Sequence, residues 1–381
     1  MSKVYVVFCM DTEGPCDDPD NDSLLKTWKD VDPAMDKLFD RKFRFKYKDS
    51  MGNGLKIGWF FLTWTGFKTN PRGRDFGYHK VRDHYIERWG KLMDDYGDEE
   101  CWHYHHPPVS GVGNEWSTQW SSSEEYKHII SRQIIEREWF PVCFRAGGTI
   151  MDSNLSRWVD RWFPFDYSNR APLKSGEMDW SGGISAWQPY RPDVTEFKRK
   201  GNGKRLMTRC MDLHTGLYSV GEKDIIDAFK EASLQGRSIL SVFDHDYRDI
   251  ENRVAEFLSR INAVAEKFPE VSWEYSAPSD AIGHFTNSNN SVPLKIEAEL
   301  HKSQLKIKVN SVIHQEYPWI AVQDIDGNLH HIESDVKNTY ALTWEIALDP
   351  NIVVNVVGVA ASNKAGESDV ALVKLNTSAN I

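Results

Sequence analysis

The chain is poor in cysteine. Five occur in 381 residues, Cys9, Cys16, Cys101, Cys143 and Cys210, with no CxxC pair. An odd, scattered set of this kind argues for buried reduced thiols and against a disulfide framework or a thiolate metal site. Long apolar runs are also missing. A membrane helix needs roughly 18 consecutive apolar residues. The run near the start, Val4 to Met10, ends at Asp11. Met1-Ser2-Lys3 leads straight into that run, with no apolar stretch of signal-peptide length, so a cytoplasmic chain without a membrane span is expected. Basic excess is absent: 46 Lys and Arg stand against 56 Asp and Glu, a net charge of -10. That disfavours a nucleic-acid partner, which needs a basic face for phosphates, though a local basic patch stays open. There is no internal repeat and no long low-complexity tract. With 40% apolar and 27% charged residues, a folded chain with a sizeable core is expected.

The pattern changes character near residue 287. Asn287-Ser288-Asn289-Asn290-Ser291 is a polar, turn-forming stretch. After it, apolar residues alternate with polar ones at Leu294–Leu300, Leu305–Val309 and Trp319–Gln323, and Asp326-Gly327 is a hairpin signal before Leu329–Ile332. Tyr340–Leu348, Ile352–Val359 and Val370–Leu375 complete about seven short strands, which suggest a β-sandwich of immunoglobulin or fibronectin type over residues 291–381. Residues 1–286 instead alternate strand and helix patterns. Strands are expected at Val4–Met10, Ile57–Trp64, Cys101–His105, Val142–Arg145, Phe163–Asp166 and Ile239–Phe243. Helices are expected at Tyr78–Asp94, Ser123–Arg137, Ser153–Trp162, Glu222–Gln235 and Glu251–Phe268. This order implies an α/β fold with a mainly parallel sheet, open or closed into a barrel. Ser175–Met211 reads as an insertion or an elaborated loop.

Polar residues collect where these strands end, the place where such folds carry their sites. Asp11 and Glu13 are two apart and share a face of an extended segment. Two carboxylates there can divide the work of metal ligand and general base, although a solvated strand end gives the same pattern. His103 and His105 share a face in Cys101-Trp102-His103-Tyr104-His105-His106-Pro107. Two imidazoles and one carboxylate make a His₂Glu zinc site with a position left for water. Arg145 ends another strand and can pair with a carboxylate, while Gly147 and Gly148 allow close backbone approach to an oxyanion. Asp166 ends Phe163-Pro164-Phe165-Asp166, and His245, just past Ile239–Phe243, suits a general acid.

Taken in order, these segments resemble the polysaccharide deacetylase family, the NodB-homology carbohydrate esterases. The resemblance rests on Asp11-Thr12-Glu13, His103-Tyr104-His105-His106-Pro107, Phe144-Arg145-Ala146-Gly147-Gly148, Phe165-Asp166-Tyr167-Ser168 and Val242-Phe243-Asp244-His245, with Gly58–Thr63 resembling the family's second strand. It covers about residues 4–276 and implies a distorted (β/α) barrel. The family's first motif has adjacent aspartates, and its histidines are usually four apart. Here the acids are Asp11 and Glu13, and Trp102 stands four before His106. His103 and His105 are therefore the expected partners of Glu13, with His106 as the alternative to His105. The nearest comparison is with members acting in surface-polysaccharide or O-antigen biosynthesis.

The resemblance implies a metal-dependent hydrolase, with Zn²⁺ as the expected cofactor and an acylated amino sugar as substrate. Asp11 would be base, oriented by Arg145, or else a ligand. His245 would be the acid, tuned by Asp166. An O-acyl esterase, a deformylase and a non-catalytic carbohydrate binder are the alternatives. Retention of Asp11, Arg145 and His245 together argues against the last. The chain has 15 tryptophans. Most are expected in the core. Trp102, Trp116, Trp120, Trp180 and Trp187 lie nearer the site segments and are the candidates for stacking on sugar. Association of identical copies is left open.

Overall fold

The computed structural model describes residues 2–113, 124–176, 178–214, 218–286, 292–338 and 340–375. Its first part is a parallel barrel wrapped by helices. The elements run β1 (Ser2–Thr12), α1 (Trp28–Phe39), α2 (Arg41–Lys46), β2 (Ile57–Thr63), α3 (Lys80–Tyr96), β3 (Glu99–Tyr104), α4 (Glu124–Arg137), β4 (Cys143–Ala146), α5 (Ser153–Trp162) and β5 (Phe165–Asn169). A two-residue hairpin follows, β6 (Lys174–Ser175) and β7 (Met178–Asp179). Then come β8 (Leu206–Asp212), α6 (Glu222–Gln235), β9 (Arg237–His245), α7 (Glu251–Ala265), β10 (Val271–Tyr275) and α8 (Pro278–Thr286).

The barrel closes in the order β1-β2-β3-β4-β5-β8-β9, with β9 pairing back onto β1. β1 changes neighbours along its length. Ser2–Val6 pair with β10, whereas Phe8–Thr12 pair with β2. Both faces of these strands are covered, which is why they read as continuous apolar runs. The helices bury one stripe each. On α3, Val81, Tyr85, Trp89 and Met93 recur every four residues and all are buried. Gly97, at φ 68, ends that helix in the left-handed conformation.

Period two sorts the strand side chains into two cores. Val4, Val6, Phe8 and Met10 point outward, into the layer shared with the helices. Tyr5, Val7 and Cys9 point into the lumen, with Phe60, Cys101, Cys143 and Cys210. Ala281 and Ile282 of α8 join the lumen cluster and close the barrel's N-terminal end. All five cysteines are free and buried.

The expected strand starts and ends hold to within a few residues for the six strands named above. Ser175–Met211 is corrected: it contains β8, a full barrel strand. Thr208 and Arg209 obscured its apolar pattern; both are buried, and Arg209 is accommodated there by donating to the Ala171 carbonyl and pairing with Asp224. β10 also carried no clear signal, since its Val271, Trp273 and Tyr275 alternate with Ser272 and Glu274 over only five residues.

After residue 291 the strands are antiparallel. β11 (Ile296–His301), β12 (Gln304–Val309) and β15 (Thr343–Ala347) form one sheet. β14 (Leu329–Ile332), β13 (Trp319–Asp324), β16 (Val354–Ser362) and β17 (Ser368–Lys374) form the other. The buried residues of both sheets belong to one apolar cluster with those of α4 and α5. Trp319 donates to Ser131 on α4, and Gln315 donates to the Trp162 carbonyl at the end of α5. The expected seam at 287–291 lies outside the described residues. Among the described residues, no helix is long and apolar enough to cross a membrane.

Candidate functional site

The lumen alternation continues past the thiols. Two residues beyond Cys9, Cys101, Cys143 and Cys210 come Asp11, His103, Arg145 and Asp212, and His245 lies two beyond Phe243. A strand repeats its face every second residue, so five polar side chains top an apolar plug at the C-terminal mouth. Register fixes their neighbours: Asp11 stands beside His245, and His103 beside Arg145. The mouth is a cavity of about 150 Å³, open to solvent.

Glu13, His103 and His105 converge there, with one ligand atom of each within 4.8 Å of the others. Glu13 Oε1 is 3.7 Å from His103 Nε2 and 3.4 Å from His105 Nε2. Ligand bonds of about 2.0–2.2 Å in a tetrahedral site set donor atoms about 3.3–3.6 Å apart, so the spacing fits a cation with little adjustment. Protonation fits too. His103 Nδ1 is 2.9 Å from the Arg145 carbonyl, which can only accept, so the proton sits on Nδ1 and Nε2 keeps its lone pair. Both Nε2 atoms are buried without a hydrogen-bond partner. A buried acceptor without a donor is costly, and a cation would satisfy both. Burial works against ionisation of Glu13, but the Arg74 guanidinium, 3.1 Å from its Oε2, opposes it, and the carboxyl is held well below its ordinary range. Burial pushes His105 down, which keeps it neutral and able to ligate.

His245 Nε2 is as close to Glu13, at 3.7 Å, but its tautomer is opposite. Arg248 approaches its Nδ1 at 3.2 Å, and a guanidinium can only donate. In the neutral ring the proton is therefore on Nε2, which faces Asp11 at 3.9 Å. One imidazole presents a lone pair to the cavity and the other presents a proton. Asp11 is held by Arg145, whose Nε lies 2.9 and 3.0 Å from its two oxygens. Burial works to lower the Arg145 guanidinium, but Asp11 together with Cys210 and Cys9 leaves it raised.

Four expectations are corrected. Asp166 does not reach His245. It lies one residue out of phase with the lumen-facing Phe165 and Tyr167, and its carboxylate accepts from Arg205 Nε at 3.0 Å and from the Ser168 N–H at 2.9 Å. Ser168 in turn accepts the Ala146 N–H, so Asp166 supports β4 from behind. The acid beside His245 is Asp244, which accepts its N–H and pairs with Arg248 and Arg253. Trp102 is not a sugar platform. It points outward, fully buried, stacked on Tyr104 and donating to Thr63. Trp180 and Trp187 are likewise buried, Trp180 donating to the Thr149 carbonyl and Trp187 under Arg209. Trp116 and Trp120 lie outside the described residues. Gly147 serves His105 rather than substrate: a Cβ on it would fall 2.3 Å from His105 Cδ2. Gly148, at φ 56, does line the cavity. His106 faces away, stacked on Tyr126, and burial lowers its pKa to about 4.

Sequence patterning missed other members. Arg74 lies in the loop after β2, where nothing periodic marks it. Trp64, one residue past β2, donates to the Glu13 carbonyl and lines the cavity. Asp246 accepts from the Glu13 and Gly14 N–H groups and from the Tyr85 hydroxyl, fixing the turn that carries Glu13. Burial raises its pKa to about 6. Asp212 had a usable signal: Cys210-Met211-Asp212 repeats the spacing of Cys9-Met10-Asp11, Cys101-Trp102-His103 and Cys143-Phe144-Arg145. No protein-family model matches the chain, and no curated protein matches it significantly.

Proposed function

We propose that this protein is a divergent member of the polysaccharide deacetylase family that removes an N-acyl group from an amino sugar. The observation that carries the reading is the pair of opposite histidine tautomers around Glu13, beside an Asp11–Arg145 pair. Glu13, His103 and His105 would hold the cation, with zinc the best match to a His₂Glu set. Such an ion supplies Lewis-acid polarisation of the acyl carbonyl and acidifies a water at neutral pH.

The protein's own groups do the rest. Asp11, paired with Arg145, accepts the proton of the attacking water. Arg145 also fixes the rotamer of that carboxylate. His245 delivers its Nε2 proton to the departing amine, which is a poor leaving group without it, and takes up in exchange the proton that Asp11, 3.9 Å away, has received from water, so that the ring ends neutral and Asp11 ends as carboxylate. Arg248 and Asp244 hold the ring in that orientation. Trp64, Phe243 and Tyr247 are the aromatics of the cavity wall. The C-terminal sheets, read as an immunoglobulin- or fibronectin-like sandwich, cover α4 and α5 rather than the mouth.

The test is metal analysis of the purified protein together with acetate release from N-acetylated amino sugars and their oligomers. About one zinc per chain and acetate release that stops on chelation are expected. A metal-loaded protein that binds these sugars but hydrolyses no amide would sink the enzymatic reading.

A further inference from the structure

The cavity is rich in arginine although the protein is acidic. The chain's net charge is -10. Five arginines line the mouth: Arg72, Arg74, Arg145, Arg170 and Arg248. Only three carboxylates do: Asp11, Glu13 and Asp212. The excess arises because Asp18 and Asp244, which pair with Arg72 and Arg248, are not part of the lining. Each of the five is matched by a carboxylate, and what distinguishes them is the donors left over.

Arg170 is the arginine with capacity to spare. It follows β5 and reaches Asp212 through one nitrogen, NH2, at 3.2 Å. Its Nε is buried and has no acceptor. Arg145 NH2, nearby in the same wall, has none either. Both guanidinium groups lie over the Phe243 ring, at 5.0 and 3.7 Å from its centroid, and that ring adjoins His245. Arg145 is tied to Asp11 by its remaining contacts. Arg170 is held at the rim with 14% of its side chain exposed.

We propose that the amino-sugar substrate is anionic, bearing a carboxylate or a phosphate ester, and that Arg170 receives this group beside His245, with Arg248 as the second arm. The inference rests on the deacylase reading for its sugar, but its electrostatics do not depend on hydrolysis. A guanidinium suits the task because its planar fork matches both oxyanions, and a buried N–H that waits for an acceptor is satisfied only when the ligand arrives. The contact sets specificity and orientation, so Arg170 is a binding residue and not part of the proton transfers.

The experiment is calorimetric titration of the zinc-loaded protein with N-acetylglucosamine, its 6-phosphate and the corresponding 6-carboxylate. Acetate release from each sugar is followed in parallel. Both charged sugars should bind at least about 10-fold more tightly than the neutral one, as a new charge-assisted contact predicts. Arg170→Gln should remove most of that preference and leave zinc content and neutral-sugar affinity unchanged. Arg170→Lys, which keeps the charge against Asp212 and is the safer fold, should retain only part of it. Preference for one charged sugar alone would identify which oxyanion is recognised. Equal affinity for all three sugars would overturn the inference. So would a preference that survives Arg170→Gln, because the anion would then be bound by the metal. Tight binding without acetate release would keep the anion site and remove the deacylase reading. Acetate release from the neutral sugar without a preference would do the reverse.

Discussion

Two fully buried arginines, Arg145 on the lumen side of the barrel and Arg205 behind β5, differ in how they are satisfied, and the contrast between them separates structure from function. Arg205 is saturated. Its Nε donates to Asp166 at 3.0 Å, NH1 to the Ser156 carbonyl at 2.8 Å and NH2 to the Ser156 hydroxyl at 2.9 Å. Asp160, which also accepts its N–H, is within 3.4 Å. Arg145 satisfies Nε on Asp11 and NH1 on the Tyr167 carbonyl, and leaves NH2 with nothing. Both pairs cost desolvation, which a buried ion pair recovers only when its remaining hydrogen bonds are made. The Arg205 cluster makes them and fastens α5 to β5. The Arg145 centre leaves a donor and two imidazole acceptors open, as a site that waits for a ligand does.

Breaking the open centre should affect chemistry, and breaking the closed one should affect stability. The largest effect is expected for His103→Ala. Loss of a direct ligand should weaken zinc binding by more than about 100-fold, beyond the range for second-layer partners, and turnover should vanish with the metal. Equilibrium dialysis against a zinc indicator measures it, and retained zinc would remove His103 from the ligand set. Next, Asp11→Asn should cut turnover by about 10²–10⁴-fold with zinc retained. If zinc is lost with it, Asp11 is itself a ligand and the base lies elsewhere. Third, Arg205→Met should destabilise the fold by about 3–5 kcal/mol, because Asp166 and Asp160 are left as buried acids. Urea unfolding reads this, and the zinc content of the folded fraction should be unchanged; a selective loss of zinc would merge the two arginine clusters into one functional unit.

Two smaller effects sharpen the contrast. Glu99, at the closed end of the barrel, is a half-buried acid for which no ion pair with a guanidinium is found among the described residues. It accepts from the Ser279 N–H and the Cys143 thiol, and burial raises its pKa to about 7. A carboxyl raised on folding binds more protons in the folded state, so it contributes stability below the ordinary carboxylate range. That contribution is lost as pH rises through about 7. Wild-type stability should therefore fall over this window relative to Glu99→Gln, and parallel curves for the two proteins would contradict the assignment. Smallest of all, Trp102→Phe should cost about 1 kcal/mol for the lost Thr63 hydrogen bond, with KM for sugar unchanged. A raised KM would return Trp102 to the binding site.

The sequence by itself determined most of the barrel strands and the residues that meet at their ends. Asp11, Glu13, His103, His105, Arg145 and His245 were legible because a strand's pleat is local: residues two apart share a face whatever surrounds them. The seven short strands after residue 291 were legible for the same reason. Only the tertiary structure decided what each face meets. Trp102 adjoins His103 in the chain but points into a different layer. Asp166 ended the expected strand, yet its parity sends it outward to Arg205. Arg74 and Asp246 reach Glu13 from loops with no period to mark them. Burial, partners and protonation depend on which distant segments pack over a side chain, and a local repeat carries no information about those.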